Sequence, residues 1–301
     1  MRLLLPVLAV AALAASACAA PDSASPAAES GADKSAEVTT LSKDESIAAQ
    51  LPDRITSAGS VRVASGVSFP PMEFYDTDNK TVLGFDADLG KALGEVLGVS
   101  FDFENTNFDG IIGGLNAGRY DLSLTSMIDK KARQETVDFV DYLNSGVAFM
   151  AAKGNPKGLQ DQTDLCGVTV AVEKAATGDL VADEISAECT SAGKPAVNKQ
   201  PFPDQASAVQ ALASGRADAV MALDLTLAYN VTQDPDSFEV ASKPIGALPV
   251  GVVIPKSDPQ LRDAVQAALL KIQDEGVYDE LLAKWNLTDQ ALLGAPLNQG
   301  Q

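Results

Sequence analysis

Histidine is missing from all 301 residues, so a Ser-His-Asp triad, a Cys-His pair, a His-ligated zinc and a histidine general base are all excluded. Asp129 and Glu173 are carboxylates that could serve as acids, but no two carboxylates separate into an acid and a base. Groups suited to holding a polar solute remain. Thr177 and Gly178 follow a β-branched run at 168–172 and open a helical stretch, where backbone N–H groups and a hydroxyl can receive an anion. The plainer reading of the pair is a helix N-cap. No catalytic residue, metal or cofactor is expected.

The elements that must position such groups begin with export. Arg2, the apolar run 3–15 and the small residues after it read as a secretion signal over 1–17, too short to span a bilayer. Cys18 follows Ala15-Ser16-Ala17 and resembles a lipobox, in which the cleaved chain begins with a lipid-bearing cysteine, although Ala15 stands where leucine is usual. Ordinary cleavage after Ala17 is the alternative. Residues from 19 to about 40, rich in Ala, Ser, Pro and Gly, have the composition of a solvated tether, and the whole stretch 18–50 reads as a lipid-anchored linker. In an exported protein Cys166 and Cys189 read as a disulfide, with two buried thiols as the alternative. A net charge of −19 argues against nucleic acid as a partner.

From residue 51 short strands alternate with helices. Strands are predicted at 61–64, 99–103, 121–124, 147–151, 168–172, 217–221 and 250–254. Leu89, Ala92, Leu93, Val96 and Leu97 share one helical face that Gly98 ends. The alternation predicts an α/β fold with largely parallel sheets. LNAGRYDL at 115–122 and LASGRADA at 212–219 share the form L-x-x-G-R-x-D, a helix end, a glycine stop and a strand start, which points to two lobes of related topology.

The segment GFDADLGKALGEVLG at 84–98 resembles the signature of the polar-amino-acid group of ABC-transporter solute-binding proteins, often called family 3. LPDRITSAGSVRVA, FPPMEFYD, NFDGIIGGLNAGRYDL, RQETVDFVDY, GVTVAVEKAATG and FPDQASAVQALASGRADAV stand around it in that family's order and spacing. The resemblance spans about 51–287. It implies a two-lobed periplasmic-binding-protein fold of type II, with two hinge strands and a ligand cleft that closes. Lobe 1 would comprise 51–150 and 247–301, and lobe 2 would comprise 151–246. The implied function is the extracellular, substrate-binding part of an ABC importer: a monomer at the outer face of the cell membrane, held by its lipid anchor, that passes a polar solute, most simply an amino acid, to a permease. A tethered ligand sensor and a cyclohexadienyl-dehydratase-like enzyme on the same fold are the alternatives.

The resemblance also implies site residues. Arg133, five residues before Asp138-Phe139, matches the arginine that grips the ligand carboxylate, for which a guanidinium fork is suited. Thr177 and Gly178 match the second lobe's contribution to that carboxylate, with Ala175-Ala176 replacing the usual Gly-Thr. Phe69 and Phe108 match rings that face the ligand, and Ser126 matches a polar contact to its head group. Ile128 stands where a Ser or Thr is usual. Asp224 is the candidate ammonium partner, although the spacing after GRAD leaves Leu223 in the aspartate slot. Gly66 lies where binders of basic amino acids carry an acid, so a basic ligand side chain is not expected.

Overall fold

The computed structural model describes residues 37–301. The signal sequence, Cys18 and the tether up to residue 36 lie outside the described residues. From Glu37 onward the chain does not continue as a tether. Val38 and Leu41 pack against the core, and Thr39 donates to Glu280 through its N–H (2.7 Å) and Oγ1 (2.9 Å). The short helix α1 (Glu45–Ala48) is capped by Asp44, which accepts from the N–H groups of Ser46 and Ile47. The expected linker over 18–50 is therefore corrected at its C-terminal end. Ile47 also packs on the core, Ala48 is buried, and the Leu41 N–H donates to Glu95 Oε2 (2.8 Å).

The first half of the fold runs through α2 (Asp53–Ala58), β1 (Ser60–Ser65), the ribbon β2 (Phe74–Tyr75) and β3 (Val82–Leu83), α3 (Phe85–Leu97), β4 (Ser100–Asn105), α4 (Ile111–Asn116), β5 (Leu122–Ser123) and α5 (Lys131–Gln134). The long strand β6 (Val137–Ala152) leads to the second half: β7 (Thr169–Glu173), α6 (Thr177–Ser191), β8 (Asn198–Phe202), α7 (Gln205–Ala213), β9 (Ala219–Leu223), α8 (Asp224–Gln233) and β10 (Phe238–Val240). β11 (Ile245–Pro255) returns, and α9 (Pro259–Asp274) and α10 (Val277–Lys284) pack back on the first half, α9 and α10 both against α3. All five apolar residues predicted for one face of α3 are buried.

One sheet orders its strands β4-β1-β5-β11-β6-β9-β7-β8, with β10 also on β6. β1 is parallel to β4 and β5, and β7 is parallel to β8 and β9. Between these two parallel groups lies the antiparallel pair β6 and β11. Both strands are longer than the predicted 147–151 and 250–254, because each continues from one half into the other and is buried along most of its length.

The repeated L-x-x-G-R-x-D motif has a common physical job. Gly118 and Gly215 turn the chain at the ends of α4 and α7. In the first copy Asp121 donates its N–H to Arg62 O (2.9 Å) and accepts the Arg62 N–H on Oδ2 (2.9 Å). In the second, Asp218 makes the same exchange with Thr169, at 2.8 and 3.0 Å. Each aspartate thus registers the incoming strand on the first strand of its half.

Cys166 and Cys189 form a disulfide with Cα atoms 5.6 Å apart, tying the approach to β7 to α6. By loop-closure entropy it contributes about 3 kcal/mol. A Cys166→Ser/Cys189→Ser protein is expected to lose about 2–4 kcal/mol in urea unfolding, with the loss absent when both proteins are reduced.

Candidate ligand-binding site

The parallel strands of both halves end at one cavity. Gly66 follows β1, Thr125 and Ser126 follow β5, β7 ends on Glu173, and β9 ends on Met221, Ala222 and Leu223. Phe69, Glu73 and Phe108 come from loops of the first half, while Ala176, Thr177, Gly178 and Gln205 come from the starts of α6 and α7. About 420 Å³ of space, including the mouth, lies among them. This is the crevice at the carboxyl ends of strands where α/β sheets receive ligands.

Five expected residues, Phe69, Phe108, Ser126, Thr177 and Gly178, line that cavity. Gly178 is there for a steric reason: a Cβ would stand 2.5 Å from Met221 O. Lacking one, it lets the first turn of α6, with its unpaired N–H groups, press against the end of β9. Ala175, just before the turn, is held at φ 63, and its N–H is taken by Asp179 Oδ2 at 2.8 Å.

Arg133 does not line the cavity. It rises from α5 and lies behind Phe108, its guanidinium 5.4 Å from the ring centroid. Nη1 donates to Ile128 O (2.8 Å) and Nη2 to Ala175 O (3.0 Å), so one side chain joins the two halves. Its other three N–H donors have no hydrogen-bond partner among the described residues. Burial pulls it down to about 10, which leaves it cationic at neutral pH.

Asp224 is placed elsewhere. Its Oδ1 accepts from Ser145 Oγ (2.6 Å) and the Gly146 N–H (3.2 Å), tying α8 to β6, and Leu223 takes the place on the cavity wall. The chain changes from strand to helix between these two residues, so their side chains diverge. Ile128 is buried and bridges to Val250 on β11.

The cavity also holds acids. Glu73 Oε1 accepts from Thr125 Oγ1 (2.8 Å), whose own oxygen accepts the Gly66 N–H (2.9 Å), and the Glu73 carboxyl is buried in side-chain hydrogen-bond contact with Asp86. Burial and neighbouring Asp86 push Glu73 well above the usual carboxylate range. Asp86 is pushed up to about 6 by burial, against the pull of Tyr142 Oη (2.7 Å) and the N–H (2.8 Å) and Oγ (3.1 Å) of Ser126. Those donors favour the charge on Asp86 and the proton on Glu73. Glu173 accepts no side-chain hydrogen bond among the described residues, and burial, then Asp204 and Asp109, push it up to about 8. Gln205 is buried, and its Nε2 has no partner among the described residues.

The sequence pattern of the bacterial extracellular solute-binding proteins, family 3, matches residues 61–288. The chain belongs to this family. The arginine-binding protein ArgT of Corynebacterium glutamicum is 31% identical to this solute-binding protein over 261 residues, 84% of each chain. A crystal structure of the P235GK mutant of ArgBP from T. maritima superposes with a TM-score of 0.71 at 30% identity, covering 78% of this chain and 98% of that one. The ancestral amino acid-binding protein AncCDT-1, described as a precursor of cyclohexadienyl dehydratase, gives 0.70 at 31% identity, covering 77% and 98%. The architecture is the two-lobed type II fold that the resemblance implied.

Sequence reasoning passed over Glu73 and Gln205 and considered Glu173 only as an enzyme's acid. A signal was available for two of them: in this family's fold the last residue of a parallel strand and the loop after it face the cleft, and Glu173 and Glu73 hold such places. Their proton affinity makes a prediction. Glu173 at about 8 lies above its ordinary value of 4.5. The stability it contributes is therefore full below the lower value and lost as pH rises through the higher one. The unfolding midpoint of the ligand-free solute-binding protein is expected to fall between about pH 5 and about pH 9, and Glu173→Gln is expected to flatten that slope in calorimetry.

Proposed function

We propose that this solute-binding protein captures an amino acid with a cationic side chain outside the cell and delivers it to an ABC importer. The observation that carries the reading is the pair of buried carboxylates, Glu73 and Glu173, on opposite halves of a cavity that also meets the α6 N-terminus, with Arg133 close by behind Phe108 and bonded to Ala175 O. A ligand carboxylate would be received by Arg133, Thr177 and the N–H groups around Gly178. Phe69 and Phe108 would sandwich the aliphatic stem, and Ser126 would meet the head group. Asp224, held by β6, has no part in this reading. The ligand's cations would be matched by Glu73 and Glu173, which supply from other positions the charge that Gly66 lacks. The names of the arginine-binding relatives support the same ligand class.

The lobes are taken as 51–150 with 247–301, and 151–246, turning about β6 and β11. Cys18 is proposed as the lipid-bearing residue of a monomer anchored at the outer face of the membrane. The chain is read as a binder and not an enzyme. Because a protonated Glu173 would also suit a dehydratase, purified protein should be tested on arogenate and prephenate, and turnover of either would replace the transport reading.

Among the amino acids and small dicarboxylates, arginine, lysine or ornithine is expected to give the largest thermal shift, about 2.7 kcal/mol of stabilisation at a hundred times its Kd. Arg133→Ala is expected to weaken that ligand at least about tenfold, about 1.4 kcal/mol. Glu173→Gln should weaken cationic ligands and spare glutamine, measured by calorimetric titration. Equal binding of neutral amino acids by the unmodified protein would overturn the cationic assignment.

A further inference from the structure

Residues 291–301 run back along the strand that joins the halves. Leu143 bridges to Ala291 and Val140 to Leu297 in antiparallel pairs. The Asp141 N–H donates to Pro296 O (2.9 Å), and the Asn298 N–H donates to Phe139 O (3.1 Å). Asn298 Oδ1 accepts the Phe139 N–H at 2.8 Å, completing an exchange. Beyond Asn298 the Gln299 N–H still donates to Asp141 Oδ2 on β6 (3.1 Å), and the segment then reaches the loop that leads into α5 and Arg133.

There the contacts are dense. The Gly300 N–H donates to Asp129 Oδ2 (2.6 Å), and Gln134 Nε2 donates to Asp129 Oδ1 (2.7 Å) and Gly300 O (3.3 Å). The Lys131 N–H donates to Gln301 O at 3.3 Å. A Cβ on Gly300 would stand 2.0 Å from Asp129 O and 2.6 Å from its carboxyl carbon, so only glycine fits. On its other side the loop is pinned by β11, through the Asp129 N–H to Pro249 O (2.8 Å) and the Ile128–Val250 bridge.

We propose that residues 296–301 are a strap that positions Arg133 for the ligand. Arg133 leans on Ile128 O, the peptide immediately before Asp129, so the peptide that aims the guanidinium is the one the strap and β11 hold between them. A long side chain with several rotatable bonds binds a carboxylate tightly only if its direction is set beforehand. Helix α5, four residues long, offers little rigidity of its own. Asp129, Gln134 and Gly300 are positioning residues in this scheme and touch no ligand. The inference rests on reading Arg133 as the carboxylate's partner.

The test compares Gly300→Ala with the unmodified protein, and repeats the comparison on an Arg133→Ala background. The readouts are the Arg133 guanidinium signal in ¹⁵N-arginine NMR of ligand-free protein, the Kd for L-arginine, and the unfolding midpoint. Gly300→Ala is expected to shift or broaden the Arg133 signal and weaken L-arginine at least about tenfold, with no further weakening once Arg133 is alanine. Gln134→Ala, which removes two of the contacts without a clash, should show the same effects in smaller measure if Gly300→Ala fails to fold. An unchanged Arg133 signal in both variants overturns the strap. A changed signal together with unaltered binding by Arg133→Ala leaves the strap standing and removes Arg133 from the ligand.

Discussion

Strand β6 satisfies the backbone of both halves at once: it pairs with β11 from Val137 to Val147, and residues 147–151 pair with β9. Both faces of β6 are covered, since nearly every one of its residues is buried, so its register is tied to the packing of both halves. The register with β11 shifts between Ile245 and Leu248 and between Val250 and Gly251, irregularities of the sort that bend a strand. Those shifts lie where the ribbon passes from one half to the other. The site follows from this arrangement, since two parallel sheets grown outward from one antiparallel pair present their carboxyl ends to a common space.

That space is electrostatically unfinished. Beside it a half-buried guanidinium rests on two carbonyl oxygens and a ring, with no carboxylate in ion-pair contact among the described residues, and within it two carboxyl groups are held toward their neutral forms by burial. Desolvated charge is costly unless it is paired. A ligand with an anionic end and a cationic end would complete both sets of contacts while allowing the acids to ionise. On the proposed reading, Ala175 O and a ligand carboxylate would draw on the same fork of Arg133 donors.

Much of this could be read without coordinates where the information is local. The face of α3, its end at Gly98 and the twin L-x-x-G-R-x-D turns depend on residues a few positions apart, and they appear where periodicity put them. Phe69, Phe108, Ser126, Thr177 and Gly178 line one cavity, because each sits in a motif that falls at or after a strand end. Val38 and Leu41 were passed over as tether, since a docking site made by helices more than fifty residues away leaves no mark on a polar segment.

What the amino-acid sequence determined by itself was the set of elements, their alternation and the exclusion of histidine chemistry, all properties of composition and short-range pattern. Only the tertiary structure decided which charges meet. It turned Asp224 onto β6 and left Leu223 on the wall, brought Glu73 and Glu173 into one cavity from separate halves, and laid residues 296–301 against the Arg133 loop. The physical reason is that burial and long-range pairing set what a carboxylate or guanidinium does, and neither is a property of the residues beside it in the chain.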